Sequence, residues 1–315
     1  MSLGGSTLLS AIRVLAMVLL AMPAMARGGE VPSAPPAREP LPTGVRGVYD
    51  LEYVKGGGPR QSLDLYLPDP RASEPLPLII WVHGGAWLEG DKARCPAIRY
   101  VRRGYAVASI NYRLSQDAVF PAQIYDCKAA VRYLRANAAQ WGINPDRVGA
   151  WGESAGGHLV ALLGAAGGAK DLEGEIGTTG VSSQVQAVVD WFGPTDLVRI
   201  ASQMPSGSRF DHDAPDSPGS RLLGGPVQQN HDKARRANPI TYITRDHPPI
   251  LVIHGDRDNL VPIGQSELLV AALKQAGVDV TFHVVPDNGH GGPGFWAAPV
   301  TTLMNEFFDR HLKGR

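Results

Sequence analysis

Gly152-Glu153-Ser154-Ala155-Gly156 decides the reading of this chain, because an apolar segment, 147–151, runs into it and a helix-like run, 157–164, leaves it. A serine held between glycines on a tight strand-to-helix turn presents its hydroxyl outward instead of bonding it back into the backbone. The pentapeptide alone recurs by chance in Gly- and Ser-rich sequence, so its weight rests on its surroundings.

Those surroundings repeat one theme. Leu76-Pro77-Leu78-Ile79-Ile80-Trp81-Val82 is an apolar strand that feeds His83-Gly84-Gly85-Ala86-Trp87. Ile250-Leu251-Val252-Ile253 feeds His254-Gly255-Asp256-Arg257-Asp258, and the strand 280–285 feeds Pro286-Asp287-Asn288-Gly289-His290-Gly291. Three strand ends thus each carry a group that a nucleophilic serine needs: amide donors, a carboxylate and an imidazole.

Ser154 is read as the nucleophile and His290 as the base, since its Gly- and Asn-rich loop lacks the pattern that would bury a structural histidine. His254 falls on a strand and reads as a packed or hydrogen-bonding residue, His158 falls on the helix after the nucleophile, and His283 lies mid-strand. Asp258 is the expected acid. Asp256 directly follows Gly255 and reads as a brace of the loop, with Asp287 a weaker third choice. Backbone amides of Ala155, Gly84 and Gly85 form the expected oxyanion hole, because fixed donors need no rearrangement as charge develops. His83 reads as a brace of the glycine turn. Glu153 is expected to face the interior, steadied by a salt bridge or hydrogen bond, with no chemistry assigned. Trp87 and Trp191 are flat apolar surfaces fit either to line a substrate pocket or to pack in the core.

Outward from these motifs, an opening antiparallel pair, 45–54 and 62–67, precedes strands at 76–82, 105–111, 147–151, 185–191, 250–254 and 280–285. Helices are read at 94–102, 122–139, 155–166, 264–276 and 298–312. Alternation of this kind builds an α/β fold: a mostly parallel eight-stranded sheet with helices on both faces. One domain, 45–315, is expected. The period is lost in an insertion, 197–247, that falls over the carboxyl ends of the strands, where such sheets bind ligands. Within it Asp211-His212-Asp213 reads as a solvated cluster before it reads as a metal site.

The chain has 315 residues, long enough for one sizeable core, and balances 30 Lys and Arg against 30 Asp and Glu. That leaves no basic field for nucleic acid. The first 26 residues carry an apolar run from Leu8 to Met22 ending in Pro23-Ala24-Met25-Ala26, a signal-peptide pattern, which predicts a secreted or periplasmic protein with no stable membrane association after cleavage. Residues 27–44, rich in Pro and Ala, read as a flexible lead. Cys95 and Cys127 stand near the starts of two successive helices; an oxidising compartment permits a bridge between them, but two buried free thiols are the favoured reading. No cofactor and no metal is implied, the glycine pattern lacking a phosphate-binding G-x-G-x-x-G. Nothing in the sequence specifies an oligomeric state.

The chain resembles the α/β-hydrolase carboxylesterases, in the branch related to feruloyl and acetyl-xylan esterases that adjoins the hormone-sensitive-lipase-like group. The resemblance covers about residues 45 to 312 and rests on Leu63-Asp64-Leu65-Tyr66-Leu67-Pro68, His83-Gly84-Gly85-Ala86-Trp87, Asn111-Tyr112-Arg113-Leu114, Phe120-Pro121-Ala122, Gly152 to His158, Gly193-Pro194-Thr195-Asp196, His254 to Asp258 and Gly289-His290-Gly291. The order Ser154, Asp258, His290 is that of this fold. The resemblance implies the same triad and amide donors, and an ester or acylated oligosaccharide as substrate. Ala86 stands where the lipase-like group has a third glycine, and that group's larger N-terminal cap has no good match here. An open cleft is therefore expected.

Overall fold

The computed structural model describes residues 36–38, 40–208 and 210–314. The expected signal segment, 1–26, lies outside the described residues. Eight strands form one sheet in the order β1 (Val45–Glu52), β2 (Ser62–Pro68), β4 (Ala106–Ile110), β3 (Leu76–Val82), β5 (Ile143–Glu153), β6 (Ala187–Trp191), β7 (Ile250–Gly255) and β8 (Val280–Val285). β2 pairs antiparallel with β1 and β4, and every other pairing is parallel. The order changes direction at β3, beside β5, and that is where the serine turn and the His83-Gly84-Gly85 turn meet.

Alternate residues of β3 face opposite ways, so Leu78, Ile80 and Val82 join one apolar cluster and Ile79 and Trp81 the other. The first face is covered by α1 (Ala122–Ala136), the short α2 (Ala138–Trp141), α3 (Ala155–Ala165) and α6 (Gly264–Gln275). The second is covered by a 3-10 helix, Pro96–Arg103, and by α7 (Ala298–Phe308). Cys95 belongs to the second cluster and Cys127 to the first. Both are free and buried, with the sheet between them.

Two expectations need correction in detail. The insertion 197–247 carries α4 (Pro218–Leu223), capped by the Ser217 hydroxyl, and α5 (His231–Ala237). The Pro, Gly and Ser that hide the period of α4 also supply its ends, with Ser217 as cap, Pro218 in the first turn and Gly224 closing it. The segment joins two loops at the carboxyl ends of the strands: Phe120 N–H donates to Leu222 O at 2.8 Å, and His212 Nε2–H to Leu260 O at 2.9 Å. Secondly, the end of the lead is docked. Arg38 pairs with the fully buried Asp64 at 2.7 Å, and Lys92 meets the same carboxylate at 2.8 Å. A Pro- and Ala-rich composition says nothing of one arginine that reaches a buried acid.

Candidate active site

β5 ends in a sharp elbow. Ser154 sits at φ 53° and ψ −122°, a strained conformation for a residue with a side chain, held by its N–H to Trp191 O at 2.8 Å and its carbonyl to His158 N–H at 3.0 Å. Glycine is required on both sides. A Cβ on Gly152 would stand 2.3 Å from Gly156 O, and one on Gly156 would stand 2.1 Å from Val82 O. The backbones of β5, α3 and β3 therefore approach closely enough to aim the serine at the turn after β3.

The structure brings the expected nucleophile, base and acid together. Ser154 Oγ–H donates to His290 Nε2 at 2.8 Å, and His290 Nδ1–H donates to Asp258 Oδ2 at 2.7 Å. Asp258 is held on its other side, where Oδ1 accepts the N–H groups of Leu260 and Val261, each at 2.8 Å. Burial alone would raise the Asp258 carboxyl, but hydrogen bonds from His254 and His290 outweigh it and hold the group well below the ordinary carboxylate range. The loop of His290 is positioned by β7: a Cβ on Gly255 would stand 2.3 Å from Asn288 O, and Arg257 N–H donates to that same carbonyl at 2.9 Å. Asp256 and Asp287 are exposed, Asp287 paired with Arg257, and neither is bonded to His290.

Two members of this arrangement were not assigned a place in it by the sequence. His254, read as a packed or hydrogen-bonding residue, is fully buried and hydrogen-bonded: it lies 3.3 Å from Asp258 Oδ2, with its Nε2–H donating to Val261 O at 2.9 Å and Nδ1 accepting from Ser266 at 2.7 Å. It orients the acid. Phe192, at φ 43°, packs its ring 4.6 Å from that of His290. Its signal was slight, a single aromatic between Trp191 and the turn Gly193-Pro194.

The amide side is equally fixed. The N–H groups of Gly84 and Gly85 find no acceptor among the described residues, and Ala155 opens α3, so its N–H has none inside the helix. Gly85 has φ +99°, and a Cβ there would stand 2.4 Å from Glu89 O. Asn111 braces this turn by accepting Lys92 N–H at 2.7 Å and donating to Asp91 at 2.9 Å. His83 braces it too, with its ring stacked 4.4 Å from Tyr112 and Nδ1 bonded to Gly84 O at 2.7 Å. Burial lowers the His83 imidazole to about 4, so it stays neutral and competes with no base.

Trp87 and Trp191 are not pocket walls. They are 4% and 1% exposed. Trp191 continues an edge-to-face column on the second face, 5.0 Å from Trp151, which is 4.7 Å from Trp81. Trp87 stands edge-on to His158 at 5.2 Å. Strand alternation turns Trp191 into the layer under α7, and Trp87, after the turn at Gly85, joins the apolar cluster of the first face.

Asp190, at the end of β6, carries strain of another kind. Oδ1 accepts Gly193 N–H at 2.9 Å while Oδ2 is buried without a partner among the described residues. Burial pushes its carboxyl up to about 6, against the opposing pull of the Gly193 N–H and His254. A folded value above the unfolded one means that stability is fully present below the unfolded pKa, near 4, and is lost as pH rises through about 6. Asp190→Asn is therefore expected to gain on the wild type by about 2–3 kcal/mol between pH 4 and 7.5, since one pKa unit is about 1.4 kcal/mol. Urea unfolding at both pH values measures this, and a difference that does not change with pH counts against it.

The BD-FAE family model matches residues 63–273. Esterase LipC of Mycobacterium tuberculosis is 31% identical over 250 residues, 78% of this chain and 60% of LipC, so the chain spans less than two thirds of that relative. Among solved structures, a truncated carbohydrate esterase from gut microbiota superposes with a TM-score of 0.78 at 34% identity, covering 85% of this chain and 96% of its own. A bifunctional GH43-CE protein of Bacteroides eggerthii gives 0.77 at 36% identity, covering 84% of this chain and 35% of its own. With the model spanning the sheet from β2 to α6, and these likenesses extending over most of the chain, the protein belongs to the BD-FAE family of α/β-hydrolases.

Proposed function

We propose that the protein is a secreted or periplasmic carboxylic-ester hydrolase that removes short acyl or hydroxycinnamoyl groups, with plant cell-wall polysaccharide as the source of the ester. The observation that carries the reading is the continuous chain Ser154 Oγ, His290, Asp258, at 2.8 and 2.7 Å, beside unpaired amides at Gly84, Gly85 and Ala155. In this reading His290 takes the serine proton as Oγ attacks the ester carbon. The amides receive the oxyanion, and the imidazolium returns its proton to the departing alkoxide. Water then repeats the sequence against the acyl-enzyme. No cofactor enters any step. The polysaccharide part is supported by the carbohydrate-esterase likenesses and by the apolar leader of residues 8–22.

A second reading, a general short-chain carboxylesterase, is favoured by one observation: the tryptophans that would have offered flat surfaces to a sugar are buried. Acetate and ferulate release from acetylated and feruloylated xylan oligosaccharides separates the two, with p-nitrophenyl acetate as reference. A kcat/KM on the oligosaccharides equal to or above the reference is expected. Turnover of the reference alone would leave the general esterase.

A further inference from the structure

Glu153 stands next to the nucleophile, and the sequence leads one to expect a salt bridge or hydrogen bond to steady it. Among the described residues it has neither; burial pushes its carboxyl up, and His290, when protonated, pulls it down. It is partly exposed, on the side of the elbow that carries Ser154 and the Gly84 turn. Its place can be stated closely. A methyl group on Gly84 would stand 3.3 Å from Glu153 Cγ and 3.3 Å from Ser154 Cβ, so the side chain runs beside the amide turn. Its field reaches both His290 and Tyr112.

A carboxylate taken partly out of water without a hydrogen-bond partner is costly, and such groups are rare in folded proteins. Here the group lies where a substrate would supply the partner. His290 must reach the departing oxygen to protonate it, so the alcohol part of an ester passes within the field of Glu153. A hydroxyl there donates to the carboxylate, and a negative charge there is repelled.

We propose that Glu153 is a specificity-determining carboxylate completed by the substrate, which accepts hydrogen bonds from hydroxyl groups on the alcohol part of the ester and discriminates against alcohols that carry negative charge. This rests on the ester-hydrolase reading and deepens it, since a sugar is an alcohol rich in such donors. The triad has no need of the carboxylate, so changing it alters which alcohol is accepted and leaves the chemistry in place.

Three acetates test the assignment: phenyl acetate, with no donor and no charge; 4-acetoxybenzoate, with a negative charge; and xylose monoacetate, with hydroxyl donors. Each is measured as kcat/KM for wild type and Glu153→Gln, and normalised to phenyl acetate so that intrinsic reactivity cancels between enzymes. The variant is expected to lose about 10-fold on xylose monoacetate and to gain about 10-fold on 4-acetoxybenzoate, the scale of a hydrogen bond to a charged group. Glu153→Asp keeps the charge and is expected to keep the discrimination against 4-acetoxybenzoate, which preserves the test if the amide variant does not fold. A residue that only packs would lower all three substrates together; that result, or unchanged ratios, overturns the proposal. Folded wild type that turns over none of the three would instead remove the ester-hydrolase reading itself, and this inference with it.

Discussion

Ser154→Ala is expected to abolish turnover of p-nitrophenyl acetate, with kcat falling roughly 10⁶-fold, as when the nucleophile of a triad is removed. The site gives a reason for so large an effect. Among the described residues the Ser154 hydroxyl is the one bonded to His290, so the base has no second hydroxyl to activate in its place. What remains is the three amides and substrate binding. The fold should survive the change. The Ser154 hydroxyl bonds only to His290 among the described residues, whereas the elbow is held through backbone, by Ser154 N–H to Trp191 O and His158 N–H to Ser154 O. Alanine also meets the same penalty at φ 53°, so the strain is carried over unchanged. A steady-state assay paired with a thermal melt checks both halves. Retention of more than about a hundredth of the wild-type rate, by a variant with an unchanged melt, would displace Ser154 from its role.

Most of this site was legible in the sequence because catalytic loops in an α/β sheet follow strand ends, and strand ends are marked by short apolar runs stopping at glycine. Gly84, Gly152, Gly156 and Gly255 each stand where two backbones touch, and a residue type that local geometry demands can be read without a structure. Ser154 and Asp258 follow from those positions, and His290 from its own Gly- and Asn-rich loop and from chain order. What could not be read was burial direction. Trp87 and Trp191 sit at the right positions in the chain to line a cleft, yet a one-residue difference along a strand or turn decides between cleft and core. Non-local partners were also hidden. His254 belongs to the strand pattern, and only the fold brings its ring against the Asp258 carboxylate; Arg38 is one basic residue in a Pro-rich lead until Asp64 and Lys92 are in place. Glu153 shows the same limit in reverse, because nothing in a sequence says that an expected partner is missing.

Asp258→Asn is expected to lower kcat about 10⁴-fold, the size of the effect when the acid of a triad becomes an amide. The cause here is directional. The Asp258 Oδ1 position faces two donors, the N–H groups of Leu260 and Val261, each at 2.8 Å, so it must hold an oxygen. An asparagine side chain therefore places its NH₂ at the Oδ2 position, where His290 Nδ1 lies 2.7 Å away. To accept from that NH₂ group, Nδ1 gives up its proton and the imidazole carries hydrogen on Nε2 instead. Ser154 then faces a donor where it needs a base. His254 adds to the mismatch, since its Nε2–H, 3.3 Å from Oδ2, would point at an amino group. The loop itself should hold, because Oδ1 keeps both backbone donors and the volume is unchanged. Asp256→Asn supplies the control. It is exposed and touches neither imidazole, so its rate should stay within about 2-fold of wild type, as for most surface substitutions. Parallel assays of the two variants decide the assignment: a near-normal rate for Asp258→Asn together with a collapse for Asp256→Asn would move the acid to the other end of the turn.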